Sequence, residues 1–267
     1  MINSHTKLTA LIGNPSRHSL SPEIQNYFIK SNKKNAVYLV FEFPKKNLRE
    51  AFYGAKNLGF IGLNVTMPYK EEVYNIVEKL NKTSSITKSV NTVKFLEKSQ
   101  ISVGFNTDVD GFTKSVEEKN FDWKDKMCLV IGAGGAAKSA VYGILTKPIR
   151  KLFLYNRTRK RALEIINIFK DISGKKIEIV SDLNNFKDEV SQIDLIVNCT
   201  PVGMKVRSYE DMLPVPQDWN LKGKFIFDMV YNPVETKFIK KGIMEGAEVI
   251  TGIDMLINQA AFSFNVW

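Results

Sequence analysis

The chain has 267 residues, 44% of them hydrophobic and 25% charged, which supplies enough apolar material for two packed domains and excludes a disordered chain. The net charge of +10 is spread out: residues 1–108 hold fifteen Lys/Arg against eight Asp/Glu (+7), and the remainder holds twenty-three against twenty (+3). No basic stripe or RNA-binding aromatic motif accompanies it, which argues against a nucleic-acid partner and for a solvated basic surface compatible with an anionic small molecule. There is no apolar run long enough for a membrane span, and MINSHTKLTALIGNP is too short in apolar residues for a signal peptide. The two cysteines, Cys128 and Cys199, sit in apolar runs without metal-ligand spacing, so a reduced, cytoplasmic protein without disulfides or a metal is expected.

In chain order, Leu8–Ile12 reads as a strand, Pro22–Ser31 as a helix, Ala36–Phe43 as a strand and Asn47–Asn57 as a helix. The strand Ile61–Met67 and the helix Glu71–Leu80 follow, then short strands at Ser89–Val93 and Gln100–Phe105. The pattern restarts after residue 108. Met127–Ile131 is a continuous apolar strand leading through a glycine turn into a helix at Ala137–Thr146. Strands at Lys151–Tyr155, Lys176–Val180, Leu195–Cys199, Phe225–Met229 and Glu248–Ile250 alternate with helices, and a last helix starts at Asp254. Such alternation predicts an α/β protein of two lobes, the second a doubly wound parallel sheet. The expected domains are residues 1–108, completed by the C-terminal helix within 252–267, and residues 109–251.

MCLVIGAGGAAKSA is strand, then Gly132-x-Gly134-x-x-Ala137, then helix, which is the dinucleotide fingerprint in its required context. Gly132 permits the tight turn, Gly134 lets the backbone approach a pyrophosphate, and the helix N-terminus faces the anion. The next strand ends in Asn156-Arg157-Thr158, with Arg159, Lys160 and Arg161 beyond. A carboxylate that would bind the ribose 2′-hydroxyl of NAD is absent there, and guanidinium groups suited to a 2′-phosphate stand in its place. This predicts NADP(H) rather than NAD.

The other unusual residues collect at strand ends of the first lobe. In GNPSRHSLSPEI, Ser21 reads as an N-cap before Pro22, leaving Ser19 as a spare hydroxyl beside a helix N-terminus, a setting for a carboxylate. Asn64, Thr66 and Lys70 follow in GLNVTMPYK, Asn91 in SVNTV, and Asn106-Thr107-Asp108 in GFNTDVDG. Neutral amides and hydroxyls in such number suit a polyhydroxylated ligand, with one lysine and one aspartate as titrating groups. Lys70 could equally be a solvated residue opening a helix, and Tyr231 a core aromatic.

The ordered series HSLSP, NVTMPYK, VNTV, FNTDVDG, GAGGAA, NRTRKRA, NCTPVGM, DMVYNP and G-x-x-ML-x-x-QAAFSF resembles the shikimate dehydrogenase family over almost the whole chain. The resemblance implies reversible NADPH-dependent reduction of 3-dehydroshikimate to shikimate, a small-molecule partner, and a monomer or homodimer. It implies Lys70 and Asp108 as the catalytic pair, and Ser19, Ser21, Asn64, Thr66, Asn91, Tyr231 and Gln259 as substrate contacts. Cofactor contacts are implied at Gly132, Ala133, Gly134, Gly135, Ala136, Asn156, Arg157, Thr158, Arg161, Thr200, Met204, Gly252 and Met255. Quinate/shikimate dehydrogenases with relaxed cofactor choice share these features and stay open, as does a non-catalytic NADPH sensor, although a sensor would need neither Lys70 nor Asp108. A methylene-tetrahydrofolate dehydrogenase shares a catalytic lysine but would leave the paired serines without a role. Members of the family usually carry a further terminal helix, whereas this chain stops at Trp267, so apolar surface is expected near its end.

Overall fold

Two sheets form because the chain twice supplies short aliphatic runs separated by amphipathic helices, the arrangement that buries a sheet on both faces. The computed structural model describes residues 2–174, 176–205 and 209–267. It divides into two units, Met1–Thr107 with Gln259–Trp267, and Asp108–Asn258.

The first unit runs β1 (Lys7–Gly13), α1 (Ser21–Ser31), β2 (Ala36–Glu42), α2 (Leu48–Asn57), β3 (Phe60–Val65), α3 (Lys70–Tyr74), β4 (Lys79–Leu80), α4 (Lys82–Thr87), β5 (Thr92–Leu96) and β6 (Ile101–Phe105). Its sheet has the order β2-β1-β3-β5-β6-β4. β1 pairs parallel with β2 and β3, and β5 runs antiparallel to β3 and β6. The parallel register lets the loops after β1 and β3 start side by side: Thr66 N–H donates to Ile12 O at 2.9 Å, and Asn14 N–H to Met67 O at 3.0 Å. Ala10, Ile12, Leu63, Val65 and Val93 pack with Phe52 and Tyr69 into one core, while Leu11, Ile29 and Tyr38 form a second with Phe264 and Trp267.

The helix expected over Glu71–Leu80 is shorter. α3 ends at Tyr74, and Lys79–Leu80 pair with β6 instead. Glu78 supplies the reason, because its carboxylate accepts the Ser102 backbone N–H at 2.8 Å and the Ser102 hydroxyl, drawing the segment to the sheet edge. The strand expected at Ser89–Val93 begins at Thr92 instead.

The second unit runs α5 (Thr107–Glu117, from its second residue), β7 (Met127–Ile131), α6 (Gly135–Leu145), β8 (Lys151–Tyr155), α7 (Arg159–Ser173), β9 (Ile177–Val180), α8 (Lys187–Val190), β10 (Leu195–Asn198), β11 (Phe225–Asp228), α9 (Lys237–Glu245), β12 (Glu248–Ile250) and the first part of α10 (Gly252–Val266). Its sheet is wholly parallel in the order β12-β11-β10-β7-β8-β9. The order reverses between β7 and β10, and in such sheets the crevice beyond the strand ends at the reversal is where ligands bind. β7 and β10 lie at the middle and are buried along their whole length, as an unbroken aliphatic run requires. Among the described residues no helix is long and apolar enough to cross a membrane.

The end of α10, from Gln259 onward, belongs to the first unit and is docked there. Trp267 donates its indole N–H to Val93 O at 2.9 Å and lies against Tyr38, and Phe264 lies against Phe28. Lys94 Nζ donates to the Val266 carbonyl at 2.6 Å, closing the helix C-terminus. The apolar surface expected near the end of the chain is thus partly occupied by its own last aromatic residues. A Cβ on Gly62 would lie 2.1 Å from Trp267 Nε1 and 2.3 Å from Val93 O. Gly62→Ala should therefore lower the free energy of unfolding by about 1–3 kcal/mol, as overpacking does. Urea denaturation measures this, and an unchanged midpoint would show that the indole is not seated there.

Candidate active site

The loop after β1 is ordered by one carboxylate. Glu42, ending β2, accepts the backbone N–H groups of Ser16 at 2.7 Å and Arg17 at 3.2 Å, and the Ser16 bond foremost holds its carboxyl below the usual range. Ser19 and Ser21 follow. Ser21 is not the N-cap expected from the sequence but the first residue of α1, with Leu20 in the cap position. Ser19 is not spare either: its Oγ accepts the Ser21 N–H at 3.2 Å and donates to Ser21 Oγ at 3.0 Å. The pair therefore forms one preset hydroxyl couple at a helix N-terminus, with Ser19 half-buried and Ser21 buried.

Beneath the strand ends lies a buried polar network. Asn64 is 5% exposed, and its Oδ1 accepts from the Tyr38 hydroxyl at 2.8 Å. Its Nδ2 faces three acceptors, Asn91 O at 3.1 Å, Thr92 Oγ1 at 3.0 Å and Ser263 Oγ at 3.0 Å. Two N–H bonds already shared among three acceptors leave Asn64 nothing to donate to a ligand. Asn64, expected among the substrate contacts, thus also ties β3 to β2, β5 and α10. Burial pushes the Tyr38 phenol up, against a hydrogen bond with Ser21, so the network reaches the serine couple.

Ser263 on α10 lies 2.8 Å from Thr92 Oγ1 and 3.0 Å from Thr107 Oγ1. Asn91 Oδ1 accepts the Thr107 N–H at 2.8 Å, while its Nδ2 reaches Thr107 Oγ1 at 2.9 Å and Gln259 Oε1 at 3.4 Å. Asn91 and Gln259, distant in the chain, are thus brought together. Gln25, four residues after Ser21 on α1, donates to Ala260 O at 2.9 Å and fixes α10 beside Gln259. Thr66 is half-buried just beyond β3, and Lys70, half-buried, opens α3 with its carbonyl accepting the Val90 N–H at 3.0 Å, next to Asn91. Asp108 is buried in the first turn of α5, directly after Thr107. Tyr38, Thr92, Ser263 and Glu42 were not singled out from the sequence. Their one signal there is a polar residue at a position whose neighbours alternate as a strand or helix face.

In the second unit, Gly132 follows β7 with φ +118°, a conformation L side chains rarely adopt, and its N–H donates to Tyr155 O at 2.8 Å. Gly134 caps α6, is exposed, and has no atom near the position of an added Cβ. Packing therefore does not require a glycine there, and the space leaves the backbone open to a ligand. No side chain caps α6, so its first turn, Gly135 and Ala136 with Ala133 before it, offers an uncapped helix N-terminus to an anion. At the end of β8, Asn156 Nδ2 donates to Thr158 O at 2.9 Å and shapes the turn. Arg157, Thr158 and Arg161 are exposed there, and α7 has no acidic residue in its first turn. These features fit a dinucleotide bearing a 2′-phosphate.

Thr200 and Met204 lie half-buried on the loop after β10, and Tyr231, half-buried, follows β11. Gly252 opens α10 against the chain after β11: a Cβ there would lie 2.6 Å from the Val230 carbonyl, so packing alone demands glycine. Met255 is buried one turn on. Burial pushes the Cys128 and Cys199 thiols up. Asp228, fully buried at the end of β11, accepts from Asn198 Nδ2 at 2.9 Å, Val230 N–H at 3.0 Å and the Thr236 hydroxyl at 2.6 Å. Burial pushes its carboxyl up to about 6, although those hydrogen bonds pull the other way.

A doubly wound parallel sheet with a glycine turn at its order reversal, carried in one chain with an α/β unit that offers a lysine among hydroxyls and amides, defines the class of two-domain nicotinamide-dependent dehydrogenases. Residues 11–93 match the model of the shikimate dehydrogenase substrate binding domain, and residues 115–251 match that of shikimate / quinate 5-dehydrogenase. The chain belongs to the shikimate dehydrogenase family. It is 37% identical to the shikimate dehydrogenase (NADP(+)) of Moorella thermoacetica, over 100% of this chain and 89% of that one. A shikimate dehydrogenase solved in complex with NADP+ is similar with a TM-score of 0.91 at 32% identity, over 100% of this chain and 91% of that one. The Thermus thermophilus enzyme solved with NADP(H) and shikimate is similar with a TM-score of 0.86 at 28% identity, over 98% of this chain and 93% of that one.

Two outcomes test this geometry. Ser263→Ala removes the hydroxyl shared by Asn64, Thr92 and Thr107, and should lower unfolding free energy by about 1–3 kcal/mol; an unaltered thermal midpoint would mean that the network does not depend on it. For Asp228, the folded state keeps its proton from the ordinary 3.8 up to about 6, where the unfolded chain has lost it. Stability from this group is complete below pH 3.8 and falls as pH rises to about 6, by about 3 kcal/mol. Asp228→Asn lacks that slope, so the variant should gain on the wild type between those pH values in chemical denaturation, and parallel curves would refute it.

Proposed function

We propose that this chain is an NADP-dependent shikimate dehydrogenase, reducing the C3 carbonyl of 3-dehydroshikimate to the alcohol of shikimate and running the reverse oxidation. The reading is carried by the first unit's cluster, in which Asn91 and Gln259 lie within hydrogen-bond reach over a floor of Thr92, Thr107 and Ser263. Amides and hydroxyls that do not titrate suit a polyhydroxylated ring, and Lys70, the one cation of the candidate set in this unit, suits the reacting oxygen. The family membership and the relatives' NADP+ dependence support the same conclusion.

NADPH, when bound, would supply a hydride for the carbonyl carbon. Lys70 stabilises the negative charge growing on the carbonyl oxygen and delivers a proton to it, leaving a neutral amine that regains its proton from water. Asp108 orients that exchange. The Ser19/Ser21 couple holds the substrate carboxylate, and Thr66, Asn91, Tyr231 and Gln259 hold the carboxylate and ring hydroxyls. Gly132 to Ala136 hold the pyrophosphate, Asn156, Arg157, Thr158 and Arg161 the 2′-phosphate, and Thr200, Met204, Gly252 and Met255 the nicotinamide side. Residues 1–108, completed by the C-terminal helix 252–267, are the substrate domain and 109–251 the cofactor domain. The enzyme works in the cytoplasm as a monomer or homodimer.

The deciding measurement is NADP+ reduction with shikimate and with quinate, each repeated with NAD+. Shikimate with NADP+ should dominate, and equal rates on quinate or with NAD+ would favour a quinate/shikimate enzyme. Lys70→Ala should lower kcat by about 10²- to 10⁴-fold with little change in KM, the usual worth of a positioned proton donor; near-full turnover would refute its role.

A further inference from the structure

Asp228 belongs to the DMVYNP segment but takes no part in the chemistry above. A fully buried carboxylate at a strand end needs a reason, because burying its charge is costly unless it is hydrogen-bonded. All of its partners here are donors: Asn198 Nδ2, the Val230 N–H and the Thr236 hydroxyl. An acceptor-only group satisfies them together, and no neutral side chain of that size does so equally.

What the donors have in common is their placement. Asn198 ends β10, and its Oδ1 accepts the Thr200 N–H at 3.0 Å and the Thr200 hydroxyl at 2.6 Å. Its Nδ2 also donates to Val202 O at 3.1 Å, so the loop bearing Thr200 folds around this one amide. Thr236 is the N-cap of α9, its Oγ1 accepting the Ile239 N–H at 3.2 Å. Gly203, at φ +97°, brings the same loop down onto Thr236 and Asp228: an added Cβ would lie 3.1 Å from Thr236 Cγ2 and 3.9 Å from Asp228 Oδ2. The Lys205 N–H then donates to Asn232 O at 3.1 Å, joining the two loops a second time.

We propose that Asp228 is a positioning residue for the cofactor, clamping the loop 199–205 onto the chain after β11 and so fixing Thr200 and Met204. The inference rests on the reading that these two residues meet NADP(H). Asp228→Ala leaves three buried donors without an acceptor, and the loop gives way before the sheet does, because its ties run through Asn198.

The test is calorimetric titration of the full chain with NADP+, alongside steady-state kinetics. Asp228→Ala should raise the Kd for NADP+ about tenfold or more, with the loss falling on KM for NADP+ rather than on kcat. Asp228→Asn, which keeps an acceptor for Asn198 and Val230, should recover part of the affinity. Asn198→Ala cuts the same clamp from the other side and should act as strongly, and the double variant should be no worse than either single one. A folded Asp228→Ala protein with wild-type NADP+ affinity overturns the proposal, even if its melting temperature has dropped. Should Asp228→Ala not fold, a folded Asn198→Ala protein with unchanged Kd overturns it equally. Wild-type protein that fails to bind NADP+ would sink the cofactor reading itself.

Discussion

The first unit depends on one requirement: the side-chain amide of Asn64, buried at the carboxyl end of β3, must find all its hydrogen-bond partners inside the protein. Tyr38 from β2, Thr92 from β5 and Ser263 from α10 meet it, and Thr107 at the start of α5 joins through Ser263. An apolar core would let these elements slide by fractions of an ångström. A satisfied polar network does not, because each displacement breaks a bond whose partners water cannot reach. Asn91 and Gln259 sit on that network, so their orientation is inherited from it.

The second unit solves a parallel problem with a charge. Loops at the carboxyl ends of β10 and β11 carry Thr200, Met204 and Tyr231 without secondary structure of their own, and Asp228 collects the donors on both. The two units therefore use different chemistry for the same purpose. In the first unit the supporting groups are hydroxyls and amides that do not titrate; in the second, a buried carboxylate stands behind the loops after β10 and β11.

The alternation of strands and helices was legible because both sheets are built from runs whose period and length admit few alternatives. Met127–Ile131 could scarcely be anything but a central parallel strand, and the glycine turn after it declared its own purpose. The basic turn after β8, without an acidic residue, was legible directly from its composition. What misled was long range or a matter of side-chain direction. Glu71–Leu80 has a helical pattern, and only Ser102, across the sheet, explains why it breaks after Tyr74. Asn64 and Thr66 have the same local context, and nothing in GLNVTMPYK says that the first turns inward. Ser21 lost its expected capping role to Leu20, because capping is decided by a backbone angle there that composition does not specify.

The two cysteines carry a consequence of another kind. Both are shielded enough that burial disfavours their thiolates, the form oxidants attack. Several methionines are exposed instead, among them Met67, Met212 and Met244. Met67 stands three residues before Lys70 and one after Thr66, and oxidising it places a polar, chiral sulfoxide beside the strand end that carries both. Such a change at Met67 is one that methionine sulfoxide reductase, rather than a thiol reductant, would reverse.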